Sequence, residues 1–187
     1  MKSSLKMGLG LMLAGCLQAF AAAPPPQSLQ ENVYAAQVVR VSDGDSLTVR
    51  DTHGAQRKIR LAYIDAPELD QAYGQASRRN LATLIERKTV TVEVFSQDKY
   101  RRQVAKVTVN GTDVSLRQIH DGAAWHYRSF ARSEQAYDDF DAYAAAHSDA
   151  EKARRGLWSG KLPVAPWTWR KLYPPQPAAP SQGATAR

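Results

Sequence analysis

Lys58-Ile59-Arg60-Leu61-Ala62-Tyr63-Ile64-Asp65-Ala66-Pro67-Glu68 is the stretch from which the rest of the chain is best read. Lys58 to Ile64 reads as a strand. Alternation puts Ile59 and Leu61 on one face and Lys58, Arg60 and Ala62 on the other. Arg60 is therefore directed away from the core, toward a cleft or solvent. Asp65 ends the strand. Pro67 then fixes the backbone and keeps Glu68 off any strand. A packed strand thus delivers an arginine and two carboxylates to one loop end.

Working outward, Val33 to Val41 is β-branched and apolar, and Ser46 to Arg50 alternates with Leu47 and Val49 on one face. Thr52-His53-Gly54 turns the chain into the Lys58 strand. Gln75 to Arg87 reads as a helix with Leu81, Leu84 and Ile85 on one stripe. Thr89 to Phe95 and Gln103 to Val109 are two more strands, followed by a tight turn at Asn110-Gly111. Val114 to His120 is a short helix closed by Gly122. Ser133 is the expected cap of a longer helix, with Tyr137, Phe140, Ala144 and His147 on one stripe and Gly156 at its end. The order gives a mainly β fold with α elements: a five-stranded OB-type barrel with about three helices.

The chain has 187 residues, enough for one domain with trimmings, and a formal charge of +7, which favours anionic partners. Lys2 and Lys6 precede the apolar run Met7 to Leu17, and Ala19-Phe20-Ala21 fits a small-x-small cleavage site. Residues 1–21 are thus expected to be a signal peptide of an exported protein, periplasmic or extracellular. Leu13-Ala14-Gly15-Cys16 offers an alternative, a lipoprotein signal over 1–15 with membrane anchoring only through lipidated Cys16. Cys16 is the one cysteine, so the mature domain has no internal disulfide in either case. Residues 22–30, with Pro24-Pro25-Pro26, read as a stiff spacer. The expected folded domain is 31–171, and 172–187 reads as a disordered Pro/Ala-rich tail.

Two further segments carry chemistry. Asp43-Gly44-Asp45-Ser46 places Asp45 near the face of Leu47 and Val49, where a carboxylate is costly without a cation or donors. By itself the segment is also what a plain turn between strands looks like. Asp45 and Asp65 together suit a hard, oxygen-preferring ion such as calcium, helped by carbonyls and water. Glu68 is placed to act as a base for water, or is an ordinary loop carboxylate. In Asp98-Lys99-Tyr100-Arg101-Arg102, Arg102 begins the fifth strand, and its planar fork can grip two phosphoryl oxygens. The bland alternative is an exposed basic loop.

Singly these signals are weak; their combination and order are specific. Asp43-Gly44-Asp45-Ser46, Ile59 to Glu68 and Asp98 to Arg102 resemble the staphylococcal nuclease family. The resemblance continues through Val114 to Tyr127, Arg155-Gly156-Leu157-Trp158 and Pro166-Trp167-Thr168-Trp169-Arg170. It covers about Val33 to Lys171. It implies an OB-fold barrel, calcium-dependent cleavage of DNA and RNA, and 3′-phosphate products. It also implies metal ligation by Asp45, Asp65 and the main-chain oxygen of Ala66, with Asp43 behind them. Arg60, Glu68 and Arg102 become the catalytic residues, while Lys99, Tyr100 and Tyr127 become substrate contacts. No stable protein partner is implied, and a monomer is expected.

Departures are visible too. Ala66 replaces the family's usual threonine, whose carbonyl is the implied ligand, so only a hydroxyl contact is lost. Arg101 stands where the family typically has glycine. If that position needs positive φ, the loop must move. The stretches Glu68 to Tyr73 and Phe95 to Asp98 are short. Two rival functions also fit the sequence. One is a nucleic-acid-binding OB module of the envelope with weak catalysis, against which stands the retention of all three candidate catalysts. The other is an envelope interaction scaffold.

Overall fold

Apolar alternation builds five strands: β1 (Val33–Val41), β2 (Ser46–Asp51), β3 (Gln56–Leu61), β4 (Thr89–Gln97) and β5 (Gln103–Val109). They come from a computed structural model that describes residues 32–174. The expected leader, Cys16 and the Pro-rich spacer lie outside the described residues, as does the tail from residue 175. β1 pairs antiparallel with β2 and β4, β2 with β3, and β4 with β5. β3 then closes the barrel on β5 in parallel, with Arg60 opposite Val104. Closure removes the unpaired edges that an open sheet would expose. Val38, Leu47, Val49, Ile59, Leu61, Val92, Ala105 and Val107 fill the interior. Each buried Leu, Ile or Val contributes roughly 1.5–3 kcal/mol.

Helices cover the barrel: α1 (Gly74–Ile85), α2 (Val114–His120), α3 (Arg128–Glu134), α4 (Tyr137–Lys152) and α5 (Pro166–Leu172). α1 buries Ser77, Leu81 and Ile85. Asp113 caps α2 by accepting from the Leu116 N–H at 3.1 Å, and it also accepts from the Tyr143 hydroxyl of α4 at 2.8 Å. One carboxylate therefore starts one helix and docks another. None of the described helices is long and apolar enough to cross a membrane.

The OB-type barrel is as read from the sequence, with five described helices rather than about three. The third strand does not run through to Ile64. It stops at Leu61, Tyr63 adopts φ 65°, and Ile64–Asp65 forms a separate two-residue strand paired with Trp125–His126. Ser133 is not a cap. It lies inside α3, and the longer helix starts after an extended break at Gln135 and Ala136. Gln135 is held there by a 3.1 Å contact from its Oε1 to Nε2 of buried His126. α4 ends at Lys152 rather than at Gly156, which opens a 3-10 turn. α5 carries the fold through Leu172, one residue past the expected domain end.

Candidate active site

The β1–β2 loop is pressed against α1 and α2. A Cβ on Gly44 would sit 1.9 Å from the Ser77 hydroxyl, so only glycine fits. Gly44 O accepts from Gln118 Nε2 at 2.7 Å, and Asp43 Oδ1 accepts from the Asp45 N–H at 2.9 Å. Asp45 is thereby turned inward, 6% exposed. Its Oδ2 accepts from the Ala66 N–H at 2.7 Å and pairs with Arg60 Nη1 at 3.0 Å. The cost of burying this carboxylate is thus offset by a donor and a cation.

Asp65 is 1% exposed and held by two arginines. Arg60 Nη2 reaches its Oδ1 at 3.0 Å, and Arg170 Nη2 reaches its Oδ2 at 2.6 Å. Arg170 Nη1 also donates to Glu68 Oε1 at 2.8 Å. Glu68 itself is set by a tight loop. Its carbonyl accepts from Gln71 N at 2.9 Å, and its N–H donates to Gln71 Oε1 at 3.2 Å. A Cβ on Gly74 would lie 1.8 Å from Glu68 O, so the short loop needs glycine there. Gln71 ties this loop to the C-terminal segment by donating to Val164 O at 2.6 Å.

Arg102 arrives from the β4–β5 turn. Asp98 organises that turn, accepting from the N–H groups of Tyr100 and Arg102 at 2.9 Å each and from Arg102 Nε at 2.7 Å. Arg102 Nη1 reaches the Ser46 hydroxyl at 3.3 Å, and its guanidinium lies 5.5 Å from the Tyr100 ring centre. Arg101 takes φ 63°, so the turn accommodates an arginine in the left-handed region.

These groups meet in one open cleft of about 610 Å³, lined by Asp43, Asp45, Arg60, Asp65, Ala66, Glu68, Tyr100 and Arg102. Pro67, Asp70, Trp169, Arg170, Tyr173 and Pro174 form the rest of its wall. Lys99 and Tyr127 do not line it. Lys99 Nζ lies 5.1 Å from the Tyr100 ring centre, and Tyr127 stacks on Trp167 at 5.1 Å. Sequence reasoning gave Arg170 no role, although it quoted the motif that contains it. The available signal was Pro166 at a helix start followed by a basic last turn.

Acidity in the cleft follows from burial. Asp43 is pushed up to about 7, first by burial and then by the charge of Asp45. Burial also raises Asp65, with Asp45 adding to the rise and Arg170 and Arg60 pulling back. Asp98 goes the other way: burial would raise it, but the Arg102 N–H and guanidinium outweigh that and leave it low.

Among the described residues no group of three or more His, Cys, Asp or Glu side chains is arranged to hold a metal ion. The donor set nevertheless fits a hard cation sparsely. Asp45, Asp65 and the Ala66 carbonyl supply only oxygen, and neither His nor Cys lines the cleft among the described residues. The remaining ligands would have to be water and phosphate.

Residues 58–160 match the family described as staphylococcal nuclease homologue. The chain belongs to the staphylococcal nuclease family. Its similarity extends to an uncharacterized endonuclease of Escherichia coli O157:H7, 40% identical over 135 residues, covering 72% of this chain and 83% of that protein. An uncharacterized endonuclease of Haemophilus influenzae is 34% identical over 135 residues, 72% of each chain. A probable staphylococcal-like nuclease of Oryza sativa is 33% identical over 144 residues, covering 77% of this chain and 34% of the rice protein. In this family member Asp43, Asp45, Arg60, Asp65, Glu68 and Arg102 converge on a single cleft, with Arg170 added from α5.

Proposed function

We propose that the chain is a calcium-dependent nuclease that hydrolyses DNA and RNA with low sequence preference and leaves 3′-phosphates. The observation that carries this is the convergence of Arg60, Glu68 and Arg102 beside two buried carboxylates, Asp45 and Asp65. Asp45, Asp65 and the Ala66 carbonyl would hold the ion. A bound calcium would supply Lewis-acid polarisation of the phosphate. Glu68 takes the proton of the attacking water. Arg60 and Arg102 donate to the phosphoryl oxygens as charge grows on them. The water oxygen bonds to phosphorus as the P–O5′ bond breaks, the 5′ oxygen takes a proton from solvent water, and the phosphate stays on the 3′ side. Tyr100, 66% exposed at the cleft, offers a ring on which any base can stack, so recognition depends little on sequence.

The test is digestion of labelled DNA and RNA with end-group analysis, beside the variant Glu68→Gln. We expect 3′-phosphate ends and a loss on the order of 10²–10⁴ in turnover for the variant. Its nucleic-acid affinity should be kept. A fall below tenfold would remove Glu68 from the chemistry. Nicking of neither substrate, with saturable binding intact, would favour the binding-module reading. The proposed setting is the periplasm or exterior, reached by cleavage after Ala21. Intact mass from the native host tests this, and a diacylglyceryl adduct on Cys16 would contradict it.

A further inference from the structure

α5 lies beyond residues 58–160, the stretch that carries the family match, yet it places a guanidinium on two acidic groups of the cleft, Asp65 and Glu68. Arg170 Nη2 is 2.6 Å from Asp65 Oδ2, and Nη1 is 3.2 Å from Asp65 Oδ1 and 2.8 Å from Glu68 Oε1. This one side chain bridges a proposed ion ligand and the proposed base. α5 does not depend on those bonds for its place. Pro166 is buried, and the Trp167 ring packs 5.1 Å from Tyr127 and 5.6 Å from Trp125. Gln71 Nε2 holds Val164 O just ahead of it at 2.6 Å.

Charge gives Arg170 a second effect. Asp43, Asp45, Asp65, Glu68 and Asp70 line the cleft, while Arg102 is engaged by Asp98. Arg60 and Arg170 are the cations paired with the cleft carboxylates. Each of these guanidinium groups offsets one negative charge of the cleft. Loss of Arg170 would leave the cleft one unit more negative. The guanidinium therefore weakens the attraction for a cation while fixing the geometry that the cation needs.

We infer that Arg170 is a positioning residue of the nuclease site: its fork holds Asp65 and Glu68 in one relative orientation, and its charge limits cation affinity. The inference rests on the calcium-dependent reading above. A purely structural residue would affect calcium affinity and turnover in the same direction. A positioning residue with this charge separates them.

The experiment compares the whole folded chain with Arg170→Met and Arg170→Lys. Calcium affinity is measured by calorimetry without nucleic acid, and kcat and KM are measured on single-stranded DNA. Arg170→Met should bind calcium about 3–10-fold tighter, because a nearby positive charge is gone. Its kcat should fall roughly 10–100-fold, the cost of misplacing a working group, with KM within about threefold. Arg170→Lys should return calcium affinity to the wild-type value but not turnover, because an ammonium cannot span two carboxylates as the fork does. Weaker calcium binding together with lower turnover in Arg170→Met would mean that Arg170 only holds the fold. No change in either quantity would also overturn the inference. Wild-type turnover in Arg170→Lys would show that charge suffices and overturn the positioning role. If the wild-type chain itself neither binds calcium nor cleaves, the calcium reading falls and this inference with it.

Discussion

Arg60 and Arg102 face the same cleft but are held in opposite ways. Arg60 sits inside a closed barrel strand and pairs with two buried carboxylates, Asp45 and Asp65, that come from different segments. Arg102 sits at the end of a surface turn, and its partner Asp98 is only four residues away. One arginine is fixed by the tertiary fold, the other by a local hydrogen-bonded loop. Under the proposed function Arg60 would carry stability and chemistry together, whereas loss of Arg102 would reach chemistry with little effect on the fold.

Arg60→Ala should have the largest effect. Removing one partner of a buried ion pair costs about 3–5 kcal/mol, and losing a transition-state donor costs about 10²–10³ in kcat. Urea unfolding and turnover should therefore both deteriorate. An unchanged unfolding midpoint would erase the contrast between the two arginines. Arg102→Ala should cost at least tenfold more in turnover than Arg101→Ala at saturating substrate. Its stability should change by no more than about 1 kcal/mol, because the partly solvated pair with Asp98 is local to one turn. Arg101→Ala should mainly weaken salt-sensitive binding. If Arg101→Ala is instead the crippled variant, the assignment of the second arginine is wrong.

The smallest effect sharpens the comparison most. Arg101 holds φ 63°, a region that costs a non-glycine residue roughly 1–2 kcal/mol. Glycine relieves that strain but gains freedom in the unfolded chain. Arg101→Gly should thus raise stability by about 0.5–1 kcal/mol, read by thermal unfolding, with kcat unchanged. A loss of stability would show that the arginine side chain, and not the turn around Asp98, maintains the loop.

The barrel was legible because its strands are written in two-residue alternation. Ile59 and Leu61 point in and Arg60 points to the cleft, as the pattern says. The cleft residues Asp45, Asp65, Glu68 and Arg102 were legible because each lies next to such a strand. What escaped was set by contacts distant in sequence. Tyr63 at φ 65° interrupts the third strand without any glycine or proline to announce it. The break between α3 and α4 falls at Gln135, held by His126, while Ser133 nearby carries a misleading cap signal. α5 is seven residues long, too short to show periodicity, and its place comes from Trp167 packing on Tyr127 and Trp125. Arg170 was hidden with it. Nothing local links that arginine to Asp65, 105 residues earlier.

The most direct test of the proposed calcium-dependent site is cleavage of single-stranded DNA by the wild-type chain in chelator, then after adding back calcium or magnesium. Two carboxylates and one carbonyl leave the ion dependent on water and phosphate for its remaining ligands. Cleavage should stop in chelator and return with calcium. Magnesium should serve poorly, because it demands a tighter octahedral shell. Undiminished cleavage in chelator would contradict the calcium-dependent site.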